Sequence, residues 1–193
     1  SSGVVILRPG AAKAPRAVRP AGGRGRPDHH GTMTANPLSE ALVAPLAGAD
    51  RTLIRLADGG ALSAADIFDL SGKLANTLAG LGAEPGDRVA VQVEKSPVAL
   101  ALYLACLRSG LAFLPLNTAY TPAEIAYFVG DATPSIVVVD PAKEAEIGEI
   151  ATANAARLLT LGESGAGTLT EAAHDQASGF PDVPRSEDDL AVI

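Results

Sequence analysis

Short apolar runs and helically spaced apolar residues alternate along the chain after residue 50. The runs predicted to be strands are Thr52–Leu56, Arg88–Val93, Leu111–Leu116, Ile136–Val139 and Leu158–Leu161. Between them, apolar residues recur at the three- and four-residue spacing typical of amphipathic helices. Parallel neighbouring strands need a crossover connection, and helices usually supply it. The sequence therefore predicts an α/β fold with a mostly parallel sheet flanked by helices.

The predicted helices begin at residues that favour helix N-termini. Ser63 and Ser96 are each placed as an N-cap. Pro97, directly after Ser96, occupies the first helical position. Thr121-Pro122-Ala123-Glu124 has the spacing of a capping box. A further helix is predicted to start at Asp140-Pro141 and to run to about Ala156, and one helical turn is expected near Thr170–Ala173.

The predicted helix over Val98–Leu107 carries apolar residues all round, so we expect it to be mostly buried. Cys106 lies within it, and an inert buried thiol is the expected state of that residue. Tyr103, Tyr127 and Phe128 are expected to belong to the core rather than to form stacking platforms.

Residues 1–33 differ in composition from the rest of the chain. They are rich in Pro, Gly and Arg and lack apolar periodicity after Val4–Leu7, so they bury too little surface to offset the entropy of ordering. We predict a disordered basic leader or non-native extension before Met33, and a folded body over 34–193. A transit peptide, which would change the expected location from cytoplasmic to mitochondrial, and a basic arm for nucleic acid are the alternatives. Adjacent His29–His30 lacks the ligand count of a metal site.

The charge of the chain is unevenly distributed. Six basic and one acidic side chain lie in residues 1–33, which leaves nine basic and 21 acidic side chains in residues 34–193. Nucleic acid is not an expected partner of so acidic a body, because phosphate binding needs clustered Lys and Arg. The single cysteine excludes an intrachain disulfide and suits a reducing compartment. No apolar run is long enough to predict a membrane span.

Ligands of open α/β sheets collect where strands turn into helices, so these turns are the first places to search for a site. Val93–Pro97 contains no glycine and is not a dinucleotide fingerprint, and Leu116–Tyr120 is polar but uncharged. Gly162–Thr168 is rich in glycine but lacks the lysine of a Walker loop, and Glu163 would repel phosphate.

Isolated polar residues do not complete a site either. His174 is the only histidine of the body and lies beside Asp175 in a polar loop, where a surface role is expected. Glu187-Asp188-Asp189 is expected to be a solvated charge run, and Glu94-Lys95 to make structural pairs with neighbours. No catalytic, cofactor-binding or metal-binding residue is therefore assigned.

One long set of motifs, centred on Val89–Pro141, identifies a family. In order along the chain these motifs are GDRVA, EKS, ALYLA, LRSG, PLNTAYT, YF, DA and VVVDP. This pattern resembles the amino-terminal domain of acyl-CoA synthetases of the adenylate-forming superfamily, and most of all malonyl-CoA synthetases. The resemblance extends from about Thr34 to Ile193, and a match of this length is far more specific than a short motif.

The resemblance implies a two-step acid–thiol ligase of fatty acid metabolism. ATP and a carboxylic acid, here malonate, would give an acyl-adenylate and pyrophosphate, and coenzyme A would then displace AMP. The family uses a Gly/Ser/Thr-rich phosphate loop, Mg²⁺ and a mobile carboxy-terminal domain with a catalytic lysine. That loop follows directly after a segment like Asp188–Ile193, so the resemblance carries no functional residue onto this chain.

The expectation from these observations is an N-terminal fragment of such an enzyme, with an α/β domain that is incomplete at its C-terminus. Leu190–Ile193 begins a further predicted strand, and a chain ending inside a buried strand leaves backbone groups unpaired. We expect this fragment to be inactive alone and to bind ATP, Mg²⁺ and coenzyme A poorly. The alternatives are a ligase for another short carboxylic acid, a non-catalytic α/β interaction module, and a decoy that pairs with full-length enzyme.

Overall fold

The structure, a computed structural model, describes residues 35–193. The predictions for the leader and for His29–His30 lie outside the described residues. In chain order the helices and strands are α1 (Pro37–Leu42), β1 (Thr52–Arg55), β2 (Ala61–Ser63), α2 (Ala64–Gly80), β3 (Arg88–Gln92), α3 (Pro97–Ser109), β4 (Ala112–Pro115), α4 (Pro122–Ala132), β5 (Ile136–Val139), α5 (Glu144–Ala153), β6 (Arg157–Thr160) and α6 (Thr168–Ala173).

A parallel sheet of four strands, in the order β4-β3-β5-β6, organises the chain. Val89 in β3 lies opposite Phe113 of β4 on one side and Ile136 of β5 on the other. Every residue of β5 is buried, as expected for a β-branched strand covered on both faces. The predicted α/β fold, a parallel sheet flanked by helices, is confirmed.

The sheet separates two apolar cores, because successive strand residues point to opposite faces. On one face α2, α3 and α6 contribute Ile67, Leu74, Leu78, Leu102 and Leu169, which pack against Val89, Val91, Ile136 and Val138. On the other face α4 and α5 contribute Ile125, Val129, Ile147 and Ala151, which pack against Ala90, Leu114, Val137 and Val139. Helices on both faces leave only the two ends and the edges of the sheet open to ligands.

Two details of the secondary structure differ from the sequence-based predictions. β1 pairs antiparallel with a short second strand, β2, which was not predicted because three residues are too few to show alternation. The helix predicted from Asp140 to about Ala156 begins instead as a 3₁₀ turn over Pro141–Lys143 and continues as α5. It ends at Ala153 because Ala155 adopts a positive φ of 55°, which a continuing helix cannot accommodate.

The predicted helix caps are confirmed. Ser96 accepts a hydrogen bond from the Ala99 N–H, and Ser63 forms a complete capping box with Asp66. In the Thr121 capping box, Glu124 Oε2 accepts from the Thr121 N–H at 2.8 Å and from its hydroxyl at 2.7 Å. These two hydrogen bonds, the backbone one first, lower the pKa of the Glu124 carboxyl.

This capping box predicts that the stability of the fold depends on pH in a way that can be tested. Because the folded state lowers the Glu124 pKa, the carboxylate stabilises the fold above its unfolded pKa, and this contribution is lost as the pH falls through the folded value. We expect Glu124→Gln to be less stable than the wild type at pH 7 in urea denaturation and to approach it at pH 3. Thr121→Ala should cost about 1 kcal/mol through loss of the cap.

The matched control is Glu149→Gln, which changes an exposed glutamate on α5. Its difference from the wild type should vary less with pH than that of Glu124→Gln. A stability gap for Glu124→Gln that stays the same at pH 7 and pH 3 would contradict the proposed role of the carboxylate.

Candidate functional site

The order of the strands places a crevice at one end of the sheet. The chain leaves β3 toward β4 and leaves β5 toward β6, so the connections from these adjacent strands run in opposite directions. In open α/β sheets this reversal opens a ligand crevice at the carboxyl ends of the two strands. A cavity of about 150 Å³ lies there, and its lining residues are Gln92, Val93, Glu94, Thr118, Asp140, Ala142 and Lys143.

Gln92, the last residue of β3, holds one wall of this crevice. The residue is 1 % exposed. Its Nε2 donates to the Asn117 carbonyl oxygen at 2.8 Å and to the Tyr120 carbonyl oxygen at 3.3 Å. The loop between β4 and α4 is therefore fixed to the end of the neighbouring strand by a buried amide.

Lys143 completes the attachment from the side of β5. Its Nζ donates to Gln92 Oε1 at 3.1 Å and to the Thr118 carbonyl oxygen at 2.8 Å. We call Gln92 and Lys143 together the loop clamp. An ammonium group has three donors, so one is left after these two bonds, in a cavity that Glu94 and Asp140 also line.

The chemistry that this crevice offers is binding and orientation. Its lining side chains combine an ammonium group, two carboxylates, an amide and a hydroxyl, but they include no histidine or cysteine. A nucleophile activated by an adjacent imidazole is thus not available among them. The lining residues can hold a polar group, and the loop clamp fixes the wall against which it would lie.

The glycine-rich loop Gly162–Thr168 is closed by its own hydrogen bonds. The Gly162 N–H donates to the Ala166 carbonyl oxygen at 2.8 Å, and the Thr168 N–H donates to Thr160 Oγ1 at 3.0 Å. Gly167 has φ +148°, and a Cβ there would lie 2.3 Å from the Thr160 carbonyl oxygen, so the loop folds tightly against the end of β6. That it does not bind a nucleotide stays a prediction.

The other polar residues considered in the sequence lie apart from the crevice lining. The His174 and Asp175 side chains are 83 % and 98 % exposed, so the expected surface position is confirmed. Asp189 accepts hydrogen bonds from the Ser186 N–H and hydroxyl, and these lower its pKa. Within residues 35–193, no group of three or more His, Cys, Asp and Glu side chains is arranged to hold a metal ion. Nor does any helix there have the length and apolar character to cross a membrane.

The aromatic residues only partly follow the prediction that they belong to the core. Tyr103 and Phe128 are packed against the cores. The prediction is wrong for Tyr127, which is 69 % exposed on α4. Tyr127 contacts Phe128 edge-on at 5.6 Å, and Phe128 stacks on Tyr120 at 5.1 Å, so the ring is supported by neighbours rather than buried.

Cys106 is completely buried in α3, as expected, and burial raises the pKa of its thiol. Thiolate is the reactive form, so we expect native chain to resist a disulfide-exchange reagent at pH 8 and urea-unfolded chain to react stoichiometrically. The absorbance of the released thiolate reports the reaction. Full labelling of the native chain at the rate of the unfolded chain would contradict the buried position.

The loop clamp was not predicted from the sequence. The available signal for Gln92 was a glutamine that directly follows the apolar residues Val89–Val91 in the same strand, since a buried amide needs partners. Lys143 carried no comparable signal, because it follows a proline turn in a polar segment. Glu94, expected from the sequence to make structural pairs with neighbours, lies in the lining of the crevice.

Comparison with known proteins agrees with this fold. Residues 42–193 match the family described as AMP-binding enzyme, which is most of the chain. The chain belongs to this AMP-binding enzyme family. The resemblance to adenylate-forming acyl-CoA synthetases found in the sequence is thereby confirmed.

Several AMP-binding relatives show how much of such a protein this chain represents. The structure of apo MatB from Rhodopseudomonas palustris is 44 % identical, with a TM-score of 0.78 over 81 % of this chain and 31 % of that one. An acyl-CoA synthetase from Brucella canis is 26 % identical, with a TM-score of 0.69 over 77 % of this chain and 29 % of that one. Feruloyl-CoA synthase from an Amycolatopsis species is 33 % identical over 70 % of this chain and 26 % of its own length. The chain thus spans under a third of each of these three relatives.

Proposed function

We propose that this chain is the amino-terminal part of an ATP-dependent acid–CoA ligase whose acid is malonate. In the first half-reaction a malonate carboxylate oxygen attacks the α-phosphorus of ATP, which gives malonyl-AMP and pyrophosphate. In the second, the sulfur of coenzyme A attacks the acyl carbon, AMP leaves, and malonyl-CoA forms. The observation that carries this proposal is the 44 % identity to MatB, a malonyl-CoA synthetase, over 81 % of the chain.

Within that enzyme, the described residues would serve as the scaffold for one side of the active site. The loop clamp holds the wall between β4 and α4 at the carboxyl edge of the sheet, where ligands of such sheets bind. Residues 35–193 offer no group of three side chains suited to Mg²⁺, so no step through a metal is assigned to them. Domain bounds of 1–33 and 34–193, with a leader and a folded body, are part of the same proposal.

Acid-dependent pyrophosphate exchange tests the proposed substrate. A protein in which this chain continues in frame to the length of its relatives is incubated with ATP, labelled pyrophosphate and one acid at a time. We expect malonate to support faster exchange than acetate, ferulate or benzoate, and coenzyme A to convert the adenylate into malonyl-CoA. The 193-residue chain alone, as the control, should show no exchange with any acid.

Each outcome decides between the alternatives. Fastest exchange with another acid would replace malonate as the proposed substrate and leave the proposed ligase activity standing. Ferulate is included among the acids because of the 33 % identity to feruloyl-CoA synthase. No exchange with any acid would overturn the ligase in favour of a non-catalytic interaction module. Exchange by the 193-residue chain itself would contradict the assignment of the catalytic groups to other parts of the enzyme.

A further inference from the structure

Residues 174–185 begin as a turn, continue without regular secondary structure and lie across α2 and α3, and we call this segment the strap. Side chains of α2 hold its backbone. Asn76 Nδ2 donates to the carbonyl oxygens of Ala177 and Gly179, each at 2.9 Å, and Lys73 Nζ donates to that of His174 at 3.3 Å. The strap is therefore attached by specific hydrogen bonds rather than lying as a free loop.

Arg108, in the last turn of α3, makes the largest set of contacts with the strap and is 3 % exposed. Its Nε donates to Asp182 Oδ1 at 2.8 Å, and its Nη2 to the Phe180 carbonyl oxygen at 2.8 Å. Its Nη1 donates to Ser71 Oγ at 3.1 Å and to the Phe68 carbonyl oxygen at 3.3 Å. Four of the five guanidinium N–H donors are thus used, and they join α2, α3 and the strap at one point.

Backbone contacts continue this attachment toward the end of the strap. The Val183 N–H donates to the Arg108 carbonyl oxygen at 2.7 Å, and the Arg185 N–H to the Ala35 carbonyl oxygen at 3.0 Å. Asn36 Nδ2 bridges the carbonyl oxygens of Leu107 and Val183, at 2.9 and 3.0 Å. The path of the chain is consequently defined up to residue 185.

The residues after the strap lie along the outer edge of β4. The Phe113 N–H donates to the Ala191 carbonyl oxygen at 2.9 Å, and the Ile193 N–H donates to the Phe113 carbonyl oxygen at 3.1 Å. Phe113 and Val192 form a parallel bridge, so Ile193 lies beside Leu114 and residue 194 of a longer chain would lie beside Pro115. Pro115 is the last residue of β4, so such a chain reaches the carboxyl edge of the sheet there.

We propose that Arg108 is a positioning residue that sets, through the strap, the register of Leu190–Ile193 on β4. This inference rests on the proposed function, in which a phosphate-binding loop follows Ile193. A shift of the strap would move the start of the phosphate-binding loop along the carboxyl edge of the sheet. At that edge the loop clamp holds the loop between β4 and α4. Arg108 itself touches no reacting atom and acts only through Asp182, Phe180 and the strap backbone.

Amide hydrogen exchange on the 193-residue chain tests the link directly. We expect Arg108→Met to lower the protection of the Phe113 and Ile193 amides by about tenfold, while Val137 in the centre of the sheet keeps its protection. Arg108→Lys should restore part of this protection, because an ammonium group keeps the ion pair with Asp182 but lacks the planar set of N–H donors of a guanidinium group. Asp182→Asn, at a partly exposed partner, is the milder second variant if Arg108→Met does not fold.

The matched control is Arg88→Met. Arg88 also donates to backbone carbonyls, those of Ala132 and Thr133, but these lie at the end of α4 and not in the strap. In Arg88→Met, the protection of the Phe113 and Ile193 amides should stay within about twofold of the wild-type value. Equal loss of protection in Arg88→Met and Arg108→Met, or no selective loss in Arg108→Met and Asp182→Asn, would overturn the proposed link.

In the longer enzyme, the same variants should separate binding from turnover. Arg108→Met is expected to raise the KM for ATP about tenfold, with kcat changed less than threefold, because the loop is misplaced rather than removed. A fall in kcat of about tenfold with an unchanged KM for ATP would contradict the positioning role of Arg108. If the wild-type enzyme shows no acid-dependent exchange at all, the proposed ligase fails, and the amide protection data still decide whether Arg108 sets the register.

Discussion

Gly72→Ala is expected to destabilise the chain by about 3 kcal/mol, although alanine is the better helix former and would normally stabilise a helix interior. A Cβ at Gly72 would lie 1.7 Å from the Ser178 carbonyl oxygen and 2.7 Å from its carbonyl carbon. Both atoms belong to the strap backbone, so they cannot rotate away as a flexible side chain would. The strap must lift from α2, and the hydrogen bonds of Asn76 and Arg108 to it are then lost.

Gly80→Ala is the matched control for this substitution, because it lies in the same helix. A Cβ at Gly80 meets no atom within 4 Å. It should be neutral or stabilising by up to about 1 kcal/mol, as alanine propensity predicts for a helix. Urea denaturation of both variants measures the difference. Equal stabilities for Gly72→Ala and Gly80→Ala would mean that the strap does not lie against α2.

Gln92→Leu is expected to have the second large effect, a loss of about 3 kcal/mol. Leucine fills a similar volume but neither donates to the Asn117 and Tyr120 carbonyl oxygens nor accepts from Lys143. Buried polar groups that lose their partner carry the full cost of desolvation, which exceeds the net gain from the original bond. The loop between β4 and α4 should therefore become mobile, and its amides should exchange faster.

A double-mutant cycle with Lys143→Met isolates the loop clamp. Gln92 and Lys143 share a hydrogen bond of 3.1 Å, so the two losses of stability should not add, and the coupling should be about 1 kcal/mol. Lys73→Met, which changes a lysine bound to the strap instead of the crevice, supplies the control cycle and should be additive with Gln92→Leu. Additive effects of Gln92→Leu and Lys143→Met would show that the clamp does not act as a unit.

The features that sequence reasoning predicted are those whose interacting groups lie close together in the chain. The capping boxes of Ser63 with Asp66 and of Thr121 with Glu124 join residues three positions apart, so the spacing alone indicates them. The strands of the parallel sheet followed from the composition of single runs. Parallel pairing followed from the alternation of strands and helices, because parallel neighbours require crossovers.

The strap and the loop clamp were not predicted because their partners are distant in sequence. Arg108 and Asp182 are 74 positions apart, and Gln92 and Lys143 are 51 apart. Nothing in the polar, proline-containing segment around Asp182 indicates where it packs. Gly72 gave no local signal either, because only the neighbouring backbone of Ser178 explains why a side chain is excluded there. Such contacts become visible only when the fold brings the segments together.

The coding sequence that follows the codon for Ile193 is the most direct measurement of the central claim. The proposed ligase predicts that it continues in frame into a Gly/Ser/Thr-rich phosphate loop, which would begin at the carboxyl edge beside Pro115, and later encodes a catalytic lysine. A stop codon immediately after Ile193 in the natural gene would contradict the claim, and the chain would then act as a non-catalytic α/β module.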